Sequence, residues 1–384
     1  MKKLPLIFFS VGLSLTASAQ HTLKSETNES LYLHIAPQSE RTRTEIILPM
    51  VNGYKVIKAD LHVHTYFSDG SVSPEHRAGE GWADGLDAIA VTDHIEYRPH
   101  EKHMIRFLGK KVSANKVKKG DVTCDLNCAV ELARQRAGQY GITIIPGVEI
   151  TRDPVSVGHF NALFTTDNNL IPDPDPLQSL RNARKQGALI QINHPGWRRT
   201  DNGFTDVAKE AIKEGLIDGV EVLNSNEFYP DVIESAVKEG FYISGGTDIH
   251  HPSYNLFGRF GVFRNMTLIL AKDASAESIR EGLESRRTLA YAYGDIAGSE
   301  ALLKDFFRAC VEFKLLPSDK EGERHIIITN RSSIPYSLSY TGGTPELRLE
   351  GMSSIIYTTR ESETEFTITN MWYGPDKHPS VKIK

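Results

Sequence analysis

The chain has 384 residues, 40% of them hydrophobic and 24% charged, with a formal net charge of -5. That balance excludes a largely disordered polymer and leaves room for a large core plus a second module. It also lacks the basic surplus that duplex nucleic acid rewards, while a small anionic substrate stays open because a local cationic pocket does not need a cationic protein.

Lys2 and Lys3 precede an apolar run from Leu4 to Leu15, and Ala17-Ser18-Ala19 forms a small-residue cleavage site before Gln20. This is the pattern of a removable export signal over residues 1–19, since the run falls short of the about 20 residues a membrane span needs. A periplasmic or secreted protein is predicted, with no integral membrane segment once the signal is gone. Residues 20–57 show weak strand character around Glu45 to Leu48 and are expected to extend around the domain that follows.

From 58 to about 295, short apolar, β-branched runs alternate with helical stretches, the signature of a parallel α/β sheet or barrel. Strands are predicted over Ala59 to His64, Asp87 to His94, Ile142 to Ile150, His159 to Thr165, Ala188 to His194, Gly219 to Leu223 and Phe241 to Asp248. Helices are predicted over Ser73 to Ala83, Asp121 to Tyr140, Pro176 to Gln186, Thr205 to Glu214 and Asp231 to Glu239. Gly141, Gly187, Gly215 and Gly240 follow four of these, where helices commonly stop. The pattern then changes: one helix, Ser299 to Cys310, leads into alternating runs at His325 to Thr329, Ile355 to Thr359 and Glu365 to Thr369. Turn residues separate them, so residues 296–384 are expected to form a small antiparallel β-sandwich. Cys124, Cys128 and Cys310 are too few for a disulfide framework; Cys124 and Cys128, four apart, share a helical face and read as buried residues.

Nearly every predicted barrel strand carries residues able to bind a metal at one end. In a parallel barrel the C-terminal ends converge on the face where the active site is built. Strand one ends in Asp60-Leu61-His62-Val63-His64, where the period of two points both imidazoles to one side. Asp69 follows in Ser68-Asp69-Gly70, and the next strand ends in Thr92-Asp93-His94. Pro146-Gly147-Val148-Glu149 adds a carboxylate, and His159 begins the fourth strand. Asn193-His194-Pro195 ends the fifth and Gly246-Thr247-Asp248-Ile249-His250 the seventh. Nitrogen and carboxylate ligands together suit Zn²⁺ first, with Mn²⁺ or Fe²⁺ as alternatives, rather than Ca²⁺.

These motifs, in this order over roughly residues 58–295, resemble the polymerase and histidinol phosphatase (PHP) family of the amidohydrolase superfamily, and among its members exported bacterial phosphodiesterase-like proteins with an added C-terminal domain. The resemblance implies a distorted (β/α)₇ barrel and two or three divalent metal ions. It would give one ion to His62, His64, Glu149 and Asp248, a second to Glu149, His159 and His194, and a third to Asp69, His94 and His250. The expected activity is phosphoesterase, most naturally on small organic phosphodiesters. A metal-bridged hydroxide near Glu149 would attack phosphorus, and Asp248 or His250 would pass a proton to the leaving alkoxide.

Arg98, Arg198 and Arg199 lie just beyond metal-bearing strand ends. Arg98 is the favoured phosphate contact. Trp197 is expected to cap the core in preference to stacking on an organic substituent, the segment with Lys110, Lys111, Lys116, Lys118 and Lys119 to be a solvated insertion in preference to a lid, and Glu221 and Asn224 to orient ligands. A phosphomonoesterase of the histidinol-phosphatase type and a non-catalytic, metal-stabilised binding protein are the competing readings. An export signal conflicts with cytosolic histidine synthesis, and complete ligand sets beside arginines favour catalysis.

Overall fold

The computed structural model describes residues 42–100, 125–151, 154–199, 203–318, 320–340, 346–360 and 365–383, together with an antiparallel pair, Thr22–Leu23 with Leu33–His34. The predicted export signal, the lysine-rich segment and Cys124 lie outside the described residues. None of the described helices is long and apolar enough to cross a membrane.

Seven strands form one curled sheet: β1 (Lys55–Val63), β2 (Ala88–Val91), β3 (Thr143–Ile150), β4 (His159–Leu163), β5 (Leu189–Asn193), β6 (Gly219–Asn224) and β7 (Tyr242–Gly246). They are hydrogen-bonded side by side in that order, and most are buried along their whole length, as strands covered on both faces must be. Three further strands, β8 (Met266–Ala271), β9 (Thr288–Ala292) and β10 (Asp295–Ala297), extend the sheet beyond β1. The helices α1 (Pro74–Ala83), α2 (Cys128–Ala137), α3 (Pro176–Lys185), α4 (Asp206–Lys213) and α5 (Ile233–Glu239) fall where their sequence signals put them. Ser73, Asp175 and Thr205 cap three of them, each accepting a backbone N–H of the first turn, and Pro74 and Pro176 take the N1 position where no donor is needed. Gly187, Gly215 and Gly240 adopt positive φ just beyond a helix, the backbone state that ends it, whereas α2 stops at Ala137, four residues before Gly141.

The barrel is not all parallel. β4 runs antiparallel to both β3 and β5, because the β3–β4 connection spans only Thr151 to Gly158 and a parallel crossover needs a dozen or more residues. The sheet closes without a continuous ladder between β1 and β7. Instead Asp248 N donates to His62 O (2.9 Å), His64 N donates to Ile249 O (3.2 Å), and Gly245 N donates to Thr267 Oγ1 on β8 (3.1 Å). The result is the distorted (β/α)₇ barrel.

Past α6 (Ala276–Glu284) and α7 (Glu300–Cys310), the tail contains β11 (Val311–Leu316), β12 (Glu323–Asn330), β13 (Tyr336–Tyr340), β14 (Leu347–Leu349), β15 (Ser354–Arg360), β16 (Glu365–Ile368), β17 (Met371–Trp372) and β18 (Ser380–Lys382). A three-stranded sheet, β11-β12-β15, faces a four-stranded one, β14-β13-β16-β18, with Phe313 stacked on Phe366 at 5.7 Å between them. β17 leaves this sandwich and pairs with β10, so the tail is joined to the barrel sheet. One apolar core runs through both, from Leu268 and Ile296 to Phe307, Tyr336 and Ile368. The segment Glu45 to Leu48 is not a strand. It is an irregular strap on which Ile47 exchanges two hydrogen bonds with Ser333, while Ile46 is buried against the barrel.

Candidate metal centre

His62 and His64 share one side of the end of β1, as the strand period requires, and both are fully buried. Glu149, at the end of β3, is the hub between the others. Its Oε2 lies 3.4 Å from His62 Nε2, 3.3 Å from His64 Nε2 and 3.0 Å from His94 Nδ1. Its Oε1 lies 3.0 Å from His159 Nδ1 and 3.6 Å from His194 Nε2. Asp248 Oδ1 stands 2.9 Å from His64 Nε2 and 3.4 Å from His62 Nε2, and Asp69 Oδ1 stands 3.1 Å from His250 Nε2. His159 joins this rim because β4 is antiparallel: the start of that strand lies where its neighbours end.

Four groups of side chains bring ligand-type atoms within 4.8 Å of one another. They are His62, His64, Glu149 and Asp248; Glu149, His159 and His194; His64, Asp69, His94 and His250; and His62, His194 and Glu221. All nine residues expected from the strand ends are thus together, with His64 reaching two groups and Glu221 added to the set.

The chemistry of this cluster fits divalent cations. His62 Nε2, His64 Nε2 and Glu149 Oε2 are buried and face one another across 3.3 to 3.4 Å, yet none is aligned for a hydrogen bond. Buried polar atoms in native proteins are rarely left in that state. Burial opposes a charge on His64, but the nearby carboxylates of Asp248 and Glu149 outweigh it and push its pKa up to about 10. Burial likewise favours a neutral Glu149, and the surrounding His94, His62 and His159 hold it well below the usual carboxylate range. Two ionised carboxylates amid imidazoles form a site that a cation would satisfy more fully than protons do. Two of the cluster residues, His194 (φ 25°) and Asp248 (φ 51°), also hold left-handed backbone conformations that side chains rarely adopt, a strain that collects at functional sites.

Buried groups behind the cluster fix its geometry. Glu221 Oε2 accepts from His194 N (3.1 Å) and Asn224 Nδ2 (2.8 Å), and both its oxygens lie 3.3 Å from His62 Nδ1. Gly246 permits this approach, because a Cβ there would meet Glu221 Oε1 at 2.3 Å and His62 Cβ at 2.9 Å. Asp93 accepts from Thr65 N, Thr65 Oγ1 and Ser68 Oγ, folding the loop that delivers Asp69. Asp60 accepts from His62 N, Thr247 N and Thr247 Oγ1, and is itself held by Arg264. Arg77, fully buried, donates to the carbonyls of His64, Ile249 and His251, tying the first ligand strand to the last. Sequence reasoning named Glu221 and Asn224 for such a role but missed Asp60, Arg77 and Arg264. Asp60 was within reach as the polar residue opening the Asp-Leu-His-Val-His run, whereas a buried arginine carries no local signal.

The PHP domain matches residues 60–232. A two-domain protein from Bacteroides vulgatus containing a predicted PHP-like metal-dependent phosphoesterase is 33% identical, over 89% of this chain and 98% of that one, with a TM-score of 0.78. The chain belongs to the PHP family. Also similar are a metal-dependent phosphoesterase from Bifidobacterium adolescentis (14% identity, 61% of this chain and 97% of that one, TM-score 0.40) and a lesion-specific endonuclease from Pyrococcus furiosus (17%, 64% and 59%, TM-score 0.39). No curated protein matches. As a PHP protein, the chain is a metal-dependent phosphoesterase whose His/Glu/Asp cluster is able to hold metal ions.

In this PHP barrel one flanking side chain departs from expectation. Trp197 is half-buried rather than in the core, its ring 5.1 Å from that of His159 and 5.5 Å from that of His194. Its turn is too short to reach the core, since Trp197 N donates back to His194 O. Arg98 Nη1 donates to His94 O at 3.4 Å, and Arg199 Nη1 donates to Pro195 O and Gly203 O. Arg198 is exposed and stacks over Trp197 at 4.5 Å.

Glu221→Gln is expected to weaken metal affinity about 10- to 100-fold, the usual effect of losing a carboxylate that orients a ligating histidine. Competition with a chromophoric chelator measures it, and an unchanged affinity would remove Glu221 from this role.

Proposed function

We propose that this phosphoesterase acts on small organic phosphodiesters, outside the cytoplasm. The observation that carries the diester reading is a second cavity, lined in part by Val155, Trp197 and Phe204, beside the one over the cluster. The two share His159, His194 and Trp197, so an ester held at the cluster has room for a substituent on its flank. The extracellular setting rests on the pattern of residues 1–19 alone.

Held by His62, His64, Asp69, His94, Glu149, His159, His194, Asp248 and His250, divalent ions, Zn²⁺ foremost, would supply Lewis acidity toward the phosphoryl oxygens and lower the pKa of the attacking water. Glu149, buried and anionic, anchors the imidazoles around the place where phosphorus would sit. The proton for the leaving alkoxide would come from the attacking water and pass by way of Asp248 or His250. These two reach solvent, with side chains 21% and 29% exposed, whereas the other seven are 10% exposed or less.

The metal-reconstituted protein is expected to turn over bis(p-nitrophenyl) phosphate faster than p-nitrophenyl phosphate, with His62→Ala as the inactive control. Exclusive hydrolysis of the monoester would overturn the diester reading.

A further inference from the structure

The cavity beside the cluster has a chemical character of its own. Its walls include Val155, Ile192, Trp197 and Phe204. Val155, Trp197 and Phe204 are half-buried, so apolar surface is presented to whatever enters. Polar side chains that share the wall already make hydrogen bonds within the fold. Thr205 Oγ1 donates to Val157 O and accepts from Ala208 N, capping α4. Arg199 donates to the carbonyls of Pro195 and Gly203. Asn193 Nδ2 donates to Glu149 Oε1 and Asn161 Oδ1, and Asn193 Oδ1 accepts from Gln191 Nε2.

We propose that this cavity is a subsite for a flat aromatic substituent of the ester, making aryl phosphodiesters the preferred substrate class. The inference rests on the diester reading above and narrows it. A ring placed there would pack against the Trp197 indole, whose other neighbours are the rings of His159 and His194, and so would lie beside the cluster that holds its phosphate. A nucleobase is disfavoured on the same ground, because its polar edges would leave water and find Thr205 and Asn193 already bonded. Arg198, exposed and stacked on Trp197, adds a cationic rim suited to the single negative charge of a diester.

Phosphinates test this without turnover, since they carry the single charge of a diester and have no bond to hydrolyse. Calorimetric titration of the metal-reconstituted full chain is expected to show methyl(phenyl)phosphinate binding about tenfold or more tightly than dimethylphosphinate, as burial of a ring implies. Phe204→Ala, which widens the cavity, and Val155→Trp, which fills it, should each collapse that ratio towards one, and Phe204→Leu should retain part of it. Equal affinities in the unaltered protein, or a ratio that survives both variants, would overturn the subsite. So would tighter binding of a nucleoside 5′-methylphosphonate than of the phenyl probe. Because the readout is binding, failure to hydrolyse bis(p-nitrophenyl) phosphate would sink the diesterase reading while a phenyl preference still stood for the cavity.

Discussion

Glu149→Gln is expected to remove turnover and bound metal together. Glu149 is the one carboxylate in contact with His62, His64, His94, His159 and His194, at 3.0 to 3.6 Å, and it is fully buried. The amide keeps the volume but takes away the negative charge and turns one oxygen into a donor, which a cation cannot use as a ligand. Metal ions contribute several kcal/mol to this kind of chemistry, and each 1.36 kcal/mol is tenfold in rate, so kcat/KM should fall by roughly 10³-fold or more. Elemental analysis should find less than the full metal complement, while the far-UV spectrum stays native because β3 is held by its ladders to β2 and β4. A Gln variant that keeps its metal and works within tenfold of the unaltered enzyme would show that Glu149 is not shared between the ions.

Arg264→Met is expected to be the most damaging single change to stability. The guanidinium is fully buried, with Nε and Nη2 on Asp60 Oδ2 at 2.9 and 2.7 Å and Nη1 on Asp84 Oδ2 at 3.1 Å. Burial opposes its charge, yet Asp60, Asp84 and Glu80 more than offset that, so the group stays cationic at any pH at which the protein folds. Removing it strands Asp60 as a buried carboxylate facing the amides of His62 and Thr247, and breaking such a pair typically costs about 3–5 kcal/mol. Denaturant unfolding should show the loss in the midpoint with an unchanged slope. Adding Asp60→Asn should recover part of it, because the stranded charge is then gone. If the single variant unfolds within about 1 kcal/mol of the parent, Asp60 has another route to solvation and the buried pair is not what holds β1 to the rim.

Much of the barrel was readable before any coordinates, for a local reason. Alternation of two along Asp60 to His64 and caps such as Ser73, Asp175 and Thr205 act within a few residues, so their letters already specify strand, face and helix start. Where each ligand-type residue lies along its strand is equally local, and all nine were named on that basis. Glu45 to Leu48 shows the limit: strand-like letters became an irregular strap because Ile47 bonds to Ser333 and the preceding Thr44 bonds to the end of α1.

What the sequence by itself determined is which residues stand at strand ends and that their nitrogen and carboxylate atoms suit divalent ions. Only the tertiary structure decided which of them meet. It reversed β4 so that His159 reaches the rim, let His64 belong to two groups, and set Trp197 beside the cluster rather than in the core. It also chose Arg77 and Arg264 for burial. Those outcomes depend on contacts between residues far apart in the chain, and an arginine that braces a buried carboxylate is written with the same letter as one in water.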